Sequence, residues 1–255
     1  MTADIRPLQP PNLFHPTRPS PLTARCANAL ASSGPWWCSL LLTARTIVAR
    51  SKAVLELGQN TRCIVVVDES VTDIELDRLT RFGARGIRFF MLPGAPLPWE
   101  ILETMSARVA PFGWHVQLQL DGRDLPQHET VLRRLTSTLV VDHVGKFLEP
   151  VLLDHPGFRV LQRLVDGGRT WVKLSAPYEV SKVGPPTYDD VGKLAKALAK
   201  AAPERMLWAT NWPHPTPGAP VPDDAWMLDM LLDWIPDEAA RNKALVDNPA
   251  QLYGF

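Results

Sequence analysis

Four residues in a row, Asn211-Trp212-Pro213-His214, stand where the apolar run Arg205-Met206-Leu207-Trp208-Ala209-Thr210 ends. An earlier run, Thr138-Leu139-Val140-Val141, ends in Asp142-His143. A buried strand has no packing reason to finish in carboxylates and imidazoles. Histidine near its ordinary pKa moves protons or, when neutral, ligates a metal. A carboxylate can act as a base toward water. Together these residue types support hydrolysis of a polar bond. Asp68, Arg88, Gln119, Asp121 and Ser175 lie in or just beyond similar apolar runs. For Asp68 or Asp121 alone, a helix cap or loop hydrogen bond is a sufficient explanation. Arg88 and Arg123 suit a bidentate grip on a substrate carboxylate. Lys146 and Lys173 offer point charges, unless Lys173 is a strand residue turned away from the site. No G-x-S-x-G elbow occurs, and no cysteine has an evident partner histidine, so a serine or cysteine nucleophile is unsupported.

The elements that must position these residues alternate in type. Six short β-type runs begin at Cys63, Gly86, His115, Thr138, Thr170 and Arg205. Between them lie amphipathic segments: Thr72–Phe82, Pro98–Val109, Glu129–Leu135, Gly157–Val165 and Tyr188–Ala202. Asp224–Trp234 and Asp237–Val246 follow the last run. Strands alternating with helices imply a parallel sheet with helical crossovers. No G-x-G-x-x-G or Walker-type loop follows a strand, which favours a barrel over a nucleotide-binding open sheet. In such a barrel the site lies at the C-terminal ends of the strands, where these polar residues gather. The 255 residues would just fit one barrel of about 250 residues.

Lysine plus arginine equals aspartate plus glutamate at 27 each, so a nucleic-acid partner is not expected. No apolar run approaches the roughly 20 residues of a membrane span, so no membrane partner is expected either. Cys26, Cys38 and Cys63 share no CxxC spacing, and an odd count argues against a disulfide framework. The expectation is a cytoplasmic protein acting on a small molecule.

The stretch from about Val54 to Phe255 resembles the amidohydrolase-related barrels that include the 2-pyrone-4,6-dicarboxylate lactonase-like hydrolases. The resemblance rests on fragments in family order: Gly86-Ile87-Arg88-Phe89, Gly113-Trp114-His115-Val116-Gln117-Leu118, Val141-Asp142-His143-Val144-Gly145, Val172-Lys173-Leu174-Ser175, Trp208-Ala209-Thr210-Asn211-Trp212-Pro213-His214-Pro215, and the tail Asp247-Asn248-Pro249-Ala250-Gln251-Leu252-Tyr253-Gly254-Phe255. It implies an α/β fold, a (β/α)8 TIM barrel, that opens a small carboxylated lactone or a related ester or amide ring by water attack. His143 matches the family's histidine after the sixth strand, and position 211 matches its last-strand acid. The candidate catalytic residues are His143, Asn211 and Asp142. The candidate substrate-binding residues are Arg88, His115, Gln119, Arg123, Ser175, Tyr178 and His214. The cofactor expectation is either none or one divalent metal such as zinc, with His143 its one candidate ligand.

Two departures from the family pattern stand out. Asparagine cannot accept a proton from water as aspartate can, so Asn211 would pass that task to His143 or Asp142. The family's first strand ends in His-x-His, and no His-x-His occurs in this chain. These departures support a competing reading, a catalytically impaired fragment or binding-only relative. A related decarboxylase would require a firmly bound metal. The segment 1–53 is proline-rich and carries no acid other than Asp4. It reads as an aberrant extension preceding a barrel domain at 54–255, leaving the barrel incomplete or irregular at its first two strands. With codons freely chosen, Pro35 to Ile47 read from the third base yields Val-Val-Val-Gln-Pro-Ser-Ala-Tyr-Gly-Thr-Asp-Asn, close to the family's second strand and loop. A frameshifted origin and a divergent natural N-terminus are the alternatives, and sequencing the gene upstream decides between them. Residues Leu40 to Val48 are expected either to pair in part as a substitute strand or to cover the gap as a helix.

Overall fold

The computed structural model describes the strand at 37–43 and residues 61–212, 214 and 221–255. Seven parallel strands form one sheet in chain order: β1 (Trp37–Thr43), β2 (Arg62–Val66), β3 (Ala84–Phe90), β4 (His115–Gln119), β5 (Leu139–Val141), β6 (Thr170–Leu174) and β7 (Met206–Trp208). The fold class is the TIM barrel, as expected. All six anticipated strands form, and β1 adds a seventh inside the stretch expected to supply a substitute strand. It pairs with β2 through Leu41–Ile64, Leu42–Val65 and Thr43–Val66, with a register irregularity after Trp37. Among the described residues β1 pairs only with β2, and β7 only with β6. The rest of the 1–53 segment and its proposed origin lie outside the described residues.

Helices α1 (Asp73–Arg81), α2 (Leu102–Val109), α3 (Leu125–Arg134), α4 (Pro156–Asp166) and α5 (Asp189–Ala201) connect successive strands from β2 onward. After β7 come α6 (Asp224–Asp229), α7 (Leu231–Trp234), α8 (Glu238–Asn242) and α9 (Asn248–Tyr253). Local chemistry sets their starts. Thr72 accepts from the Glu75 amide, a capping arrangement that opens α1. Helix α3 begins four residues earlier than the sequence pattern suggests, because Pro126 is tolerated in a first turn whose amides need no intrahelical partner. No helix among the described residues is long and apolar enough to cross a membrane.

The period-two alternation of the strands divides two environments. Val65, Ile87, Phe89, Val116, Leu118, Leu139, Val141, Val172 and Leu174 pack into the main apolar core with the helices. The opposite phase carries Arg88, Gln117, Gln119 and Lys173, and Asp142 continues it just beyond β5. These side chains meet across strands that are not neighbours, and so share one lumen. Lower in that lumen Val140, Trp171 and Leu207 pack together with Leu252 of α9. The last helix is tied to β7 by Asn248, whose side-chain amide donates to the carbonyls of Pro203 (2.8 Å) and Met206 (2.7 Å).

Candidate active site

Asp142 is the electrostatic centre of the lumen. Its Oδ2 accepts from Arg88 Nη1 and from Gln117 Nε2 (3.1 Å), and its Oδ1 lies 3.5 Å from Lys173 Nζ. Lys173 also donates to Gln117 Oε1 (2.9 Å), and Arg88 Nη2 donates to Gln119 Oε1. Burial opposes ionisation of Asp142, but Arg88 and then Lys173 outweigh it and hold the carboxyl well below the usual range. Burial lowers the Lys173 ammonium from its ordinary value, and Asp142 pulls it partly back. A carboxylate so engaged is a counter-ion and a poor base. Lys173 therefore points into the lumen, and the reading that turned it away is corrected.

Above this layer three turns leave β5, β6 and β7 in strained backbone. His143 (φ 55°), Val144 (56°) and Lys146 (43°) follow β5, Ala176 (49°) follows β6, and Asn211 (67°) and His214 (59°) follow β7. Left-handed φ is costly for side-chain-bearing residues, above all a β-branched valine, and such residues cluster at functional sites. The strain turns polar groups onto the rim. His143 Nδ1 and Ser175 Oγ are 2.8 Å apart. Asn211 Nδ2 donates to Tyr178 Oη (2.7 Å) and to Glu179 Oε1 (3.0 Å). Glu179 Oε2 pairs with Lys146 Nζ, with both side chains buried. Tyr178 Oη lies 2.9 Å from His214 Nδ1, and His214 Nε2 lies 3.2 Å from Asp224 Oδ1. Burial pushes the His143 imidazole down to about 4, against the pull of Asp142 and Glu179, so it is neutral at pH 7. Burial raises the Tyr178 phenol to about 12, which keeps it protonated.

Asn211, His214, Tyr178, His143 and Ser175 thus lie in the turns at one end of β5 to β7, with Arg88 and Gln119 bonded to each other below them. Two of the expected site residues lie apart from this group. His115 is the first residue of β4, at the opposite end of the strand from the rim. It is fully buried, edge-on to Tyr253 at 5.3 Å, and its Nε2 approaches Gly86 so closely that a Cβ there would sit 2.7 Å away. Burial lowers its pKa to about 3, so it is neutral at pH 7, away from the rim. Arg123 is held by its neighbour Asp121 through Nε (2.9 Å) and Nη2 (2.6 Å), with its side chain 41% exposed. It forms no described bond to the lumen cluster. Sequence reasoning overlooked Gln117, Glu179 and Asp224. The alternation from His115 to Gln119 could have revealed Gln117. Glu179 sits in a 3₁₀ turn, Pro177–Glu179, that no period announces. Trp212 stands 69% exposed beside Asn211.

An amidohydrolase family model matches residues 53–255. The chain belongs to the amidohydrolase family. Within that family it is similar to the D-galactarolactone isomerase of Agrobacterium fabrum, 38% identical over 202 residues, covering 78% of this chain and 69% of that protein. It is also similar to the 2-pyrone-4,6-dicarboxylate hydrolase of Comamonas testosteroni, 32% identical over 77% of this chain and 68% of that protein. An apo crystal structure from Agrobacterium tumefaciens superposes with a TM-score of 0.78 at 34% identity, covering 85% of this chain and 78% of that one. This amidohydrolase is accordingly an enzyme of the lactonase-like group.

Whether its own side chains suit a metal can be judged from the donors. Among the described residues no three His, Cys, Asp or Glu side chains converge to hold an ion. His143 has Nδ1 engaged by Ser175, and Asp142 is paired with Arg88 and Lys173. The described donors do not by themselves fit a metal centre.

Proposed function

We propose that this amidohydrolase opens a small carboxylated lactone by water attack at the C-terminal rim of its barrel. The observation that carries the reading is the pair of polar clusters over β5 to β7, His143–Ser175 and Asn211–Tyr178–Glu179, each bridging separate turns at the same end of the strands. The lactone-acting relatives add to it. Neutral His143 is a proton acceptor at pH 7. Asn211 cannot take that proton, but its Oδ1 can orient an incoming oxygen. Arg88, whose Nε makes no hydrogen bond among the described residues, is the candidate for a substrate carboxylate, with Arg123, Gln119 and Ser175 as further candidates. The chain is proposed to work in the cytoplasm, and no step above depends on a metal.

A second reading has a specific basis. Asn211 replaces a base toward water, and one relative is a lactone isomerase. The attacking oxygen would then be a hydroxyl of the substrate itself, giving a ring-shifted lactone. Incubation with D-galactarolactone and with 2-pyrone-4,6-dicarboxylate in ¹⁸O-water separates the two. Hydrolysis places one label in the product carboxylate, whereas isomerisation yields an unlabelled lactone. If neither compound changes, with or without added zinc or manganese, lactone chemistry is refuted.

A further inference from the structure

We propose that Tyr178, His214 and Asp224 form a proton relay in which the Tyr178 hydroxyl is the catalytic acid–base group and His214 and Asp224 are its positioning residues. The inference rests on the lactone reading and gives Tyr178, in place of His143, the proton that Asn211 cannot take. Hydrogen-bond direction fixes the arrangement. Glu179 is a carboxylate, so the Asn211 side chain must turn its NH₂ group toward it. The same NH₂ group donates to Tyr178 Oη at 2.7 Å. That leaves the phenolic proton to point at His214 Nδ1, 2.9 Å away. His214 then carries its own proton on Nε2, which lies 3.2 Å from Asp224 Oδ1, close enough for charge attraction but outside hydrogen-bond geometry. The imidazole is buried, and its ring meets the Tyr178 ring at 5.6 Å and 66°. Three elements converge here: the turn after β6, the turn after β7 and the start of α6.

The step balances. As the attacking oxygen bonds to the lactone carbonyl carbon, its proton passes to Tyr178 Oη while the phenolic proton moves to His214 Nδ1. The imidazolium is stabilised by Asp224. When the ring C–O bond breaks, the departing oxygen takes a proton from Tyr178, which recovers its own from His214. With water as nucleophile the product is the hydroxy acid, and with a substrate hydroxyl it is the isomeric lactone. Burial keeps the phenol protonated at rest, and Glu179, Asp224 and Tyr188 add to that effect. Among the described residues these three and His214 are the titratable groups that face it.

The chain has three tyrosines, so uniform 3-fluorotyrosine labelling yields three ¹⁹F resonances, and Tyr178→Phe assigns one. The Tyr178 resonance should shift in His214→Leu, which removes the acceptor of the phenolic proton. It should shift less in Asp224→Asn, which leaves that acceptor in place. A Tyr178 resonance unmoved in His214→Leu overturns the relay. With whichever lactone is turned over, Tyr178→Phe should lower kcat about 10²–10⁴-fold while KM moves less than about threefold. A rise in KM with kcat unchanged would mean a binding role only, and this too overturns the proposal. If the wild type turns over neither lactone, the lactone reading fails and the relay is judged by the resonance alone. Unchanged urea midpoints for Tyr178→Phe exclude misfolding as the cause of lost activity.

Discussion

Asp142→Asn removes the one carboxylate that serves two buried cations. Its side chain is 1% exposed, against 13% for Arg88 and 6% for Lys173. Neutralising one partner of a buried ion pair costs about 3–5 kcal/mol, chiefly because the remaining charge is left uncompensated. At about 2–4 °C per kcal/mol for a domain of this size, Tm should fall by roughly 6–20 °C at pH 7. Lys173 offers a partial escape, because it can shed its proton. A buried amine with a depressed pKa binds fewer protons than the same amine in the unfolded chain, so the variant's stability should rise with pH. The damage should therefore shrink between pH 7 and pH 9.5. Asp142→Asn combined with Lys173→Met should be more stable than Asp142→Asn alone at pH 7. Urea midpoints of the three proteins at both pH values measure this. A loss below about 1 kcal/mol, or a double variant no better than the single one, would refute the role of Asp142 as the lumen's counter-ion.

Acid should destabilise the protein through its buried neutral histidines. Burial holds His143 at about 4 and His115 at about 3, while the unfolded chain takes up protons from about pH 6.5 downward. Stability is thus whole above that pH and falls as pH drops, by up to about 1.4 kcal/mol per unit for each histidine. Urea midpoints at pH 7.5, 6 and 5 read the slope, and His115→Phe should flatten it. Asn211→Asp sets a second carboxylate where Nδ2 now lies 3.0 Å from Glu179 Oε1. Two such carboxyls share a proton and raise one folded-state pKa, so the stability deficit against wild type should widen as pH climbs from 5 to 8. Asn248→Ala strands two carbonyls at a buried position and should cost about 1–3 kcal/mol, seen as a lower urea midpoint with an unchanged m-value.

Much of this architecture is legible from periodicity alone. Strands such as His115–Gln119 alternate, and each ends beside a polar residue. The Asn248-Pro249 tail motif has a visible job in holding α9 to β7. What periodicity lacks is height along the barrel axis. His115, Gln117 and Gln119 share one phase, yet only the last two belong to the polar cluster around Arg88 and Asp142. Partner choice is equally invisible. Nothing in the residue order tells that Arg123 folds back on Asp121 while Arg88 reaches across to Asp142. Strand β1 was legible only as one of two alternatives, because the apolar run Leu40-Leu41-Leu42 suits a strand and a helix alike. Glu179 escaped notice because a single turn of 3₁₀ helix leaves no repeating signature.

Each strand beds against its immediate predecessor, so the sheet can grow as the chain emerges, without long searches. One fastening breaks that rule. Arg62, at the head of β2, gives its Nε to the Tyr253 carbonyl (3.0 Å) and its Nη2 to that of Gly254 (2.5 Å), across separations of 191 and 192 residues. Such distant closure is paid for late, after the loop entropy of nearly the whole chain. The final helix is therefore a clasp: until it docks, an early-made guanidinium lacks two of its acceptors and the floor beneath the lumen stands open.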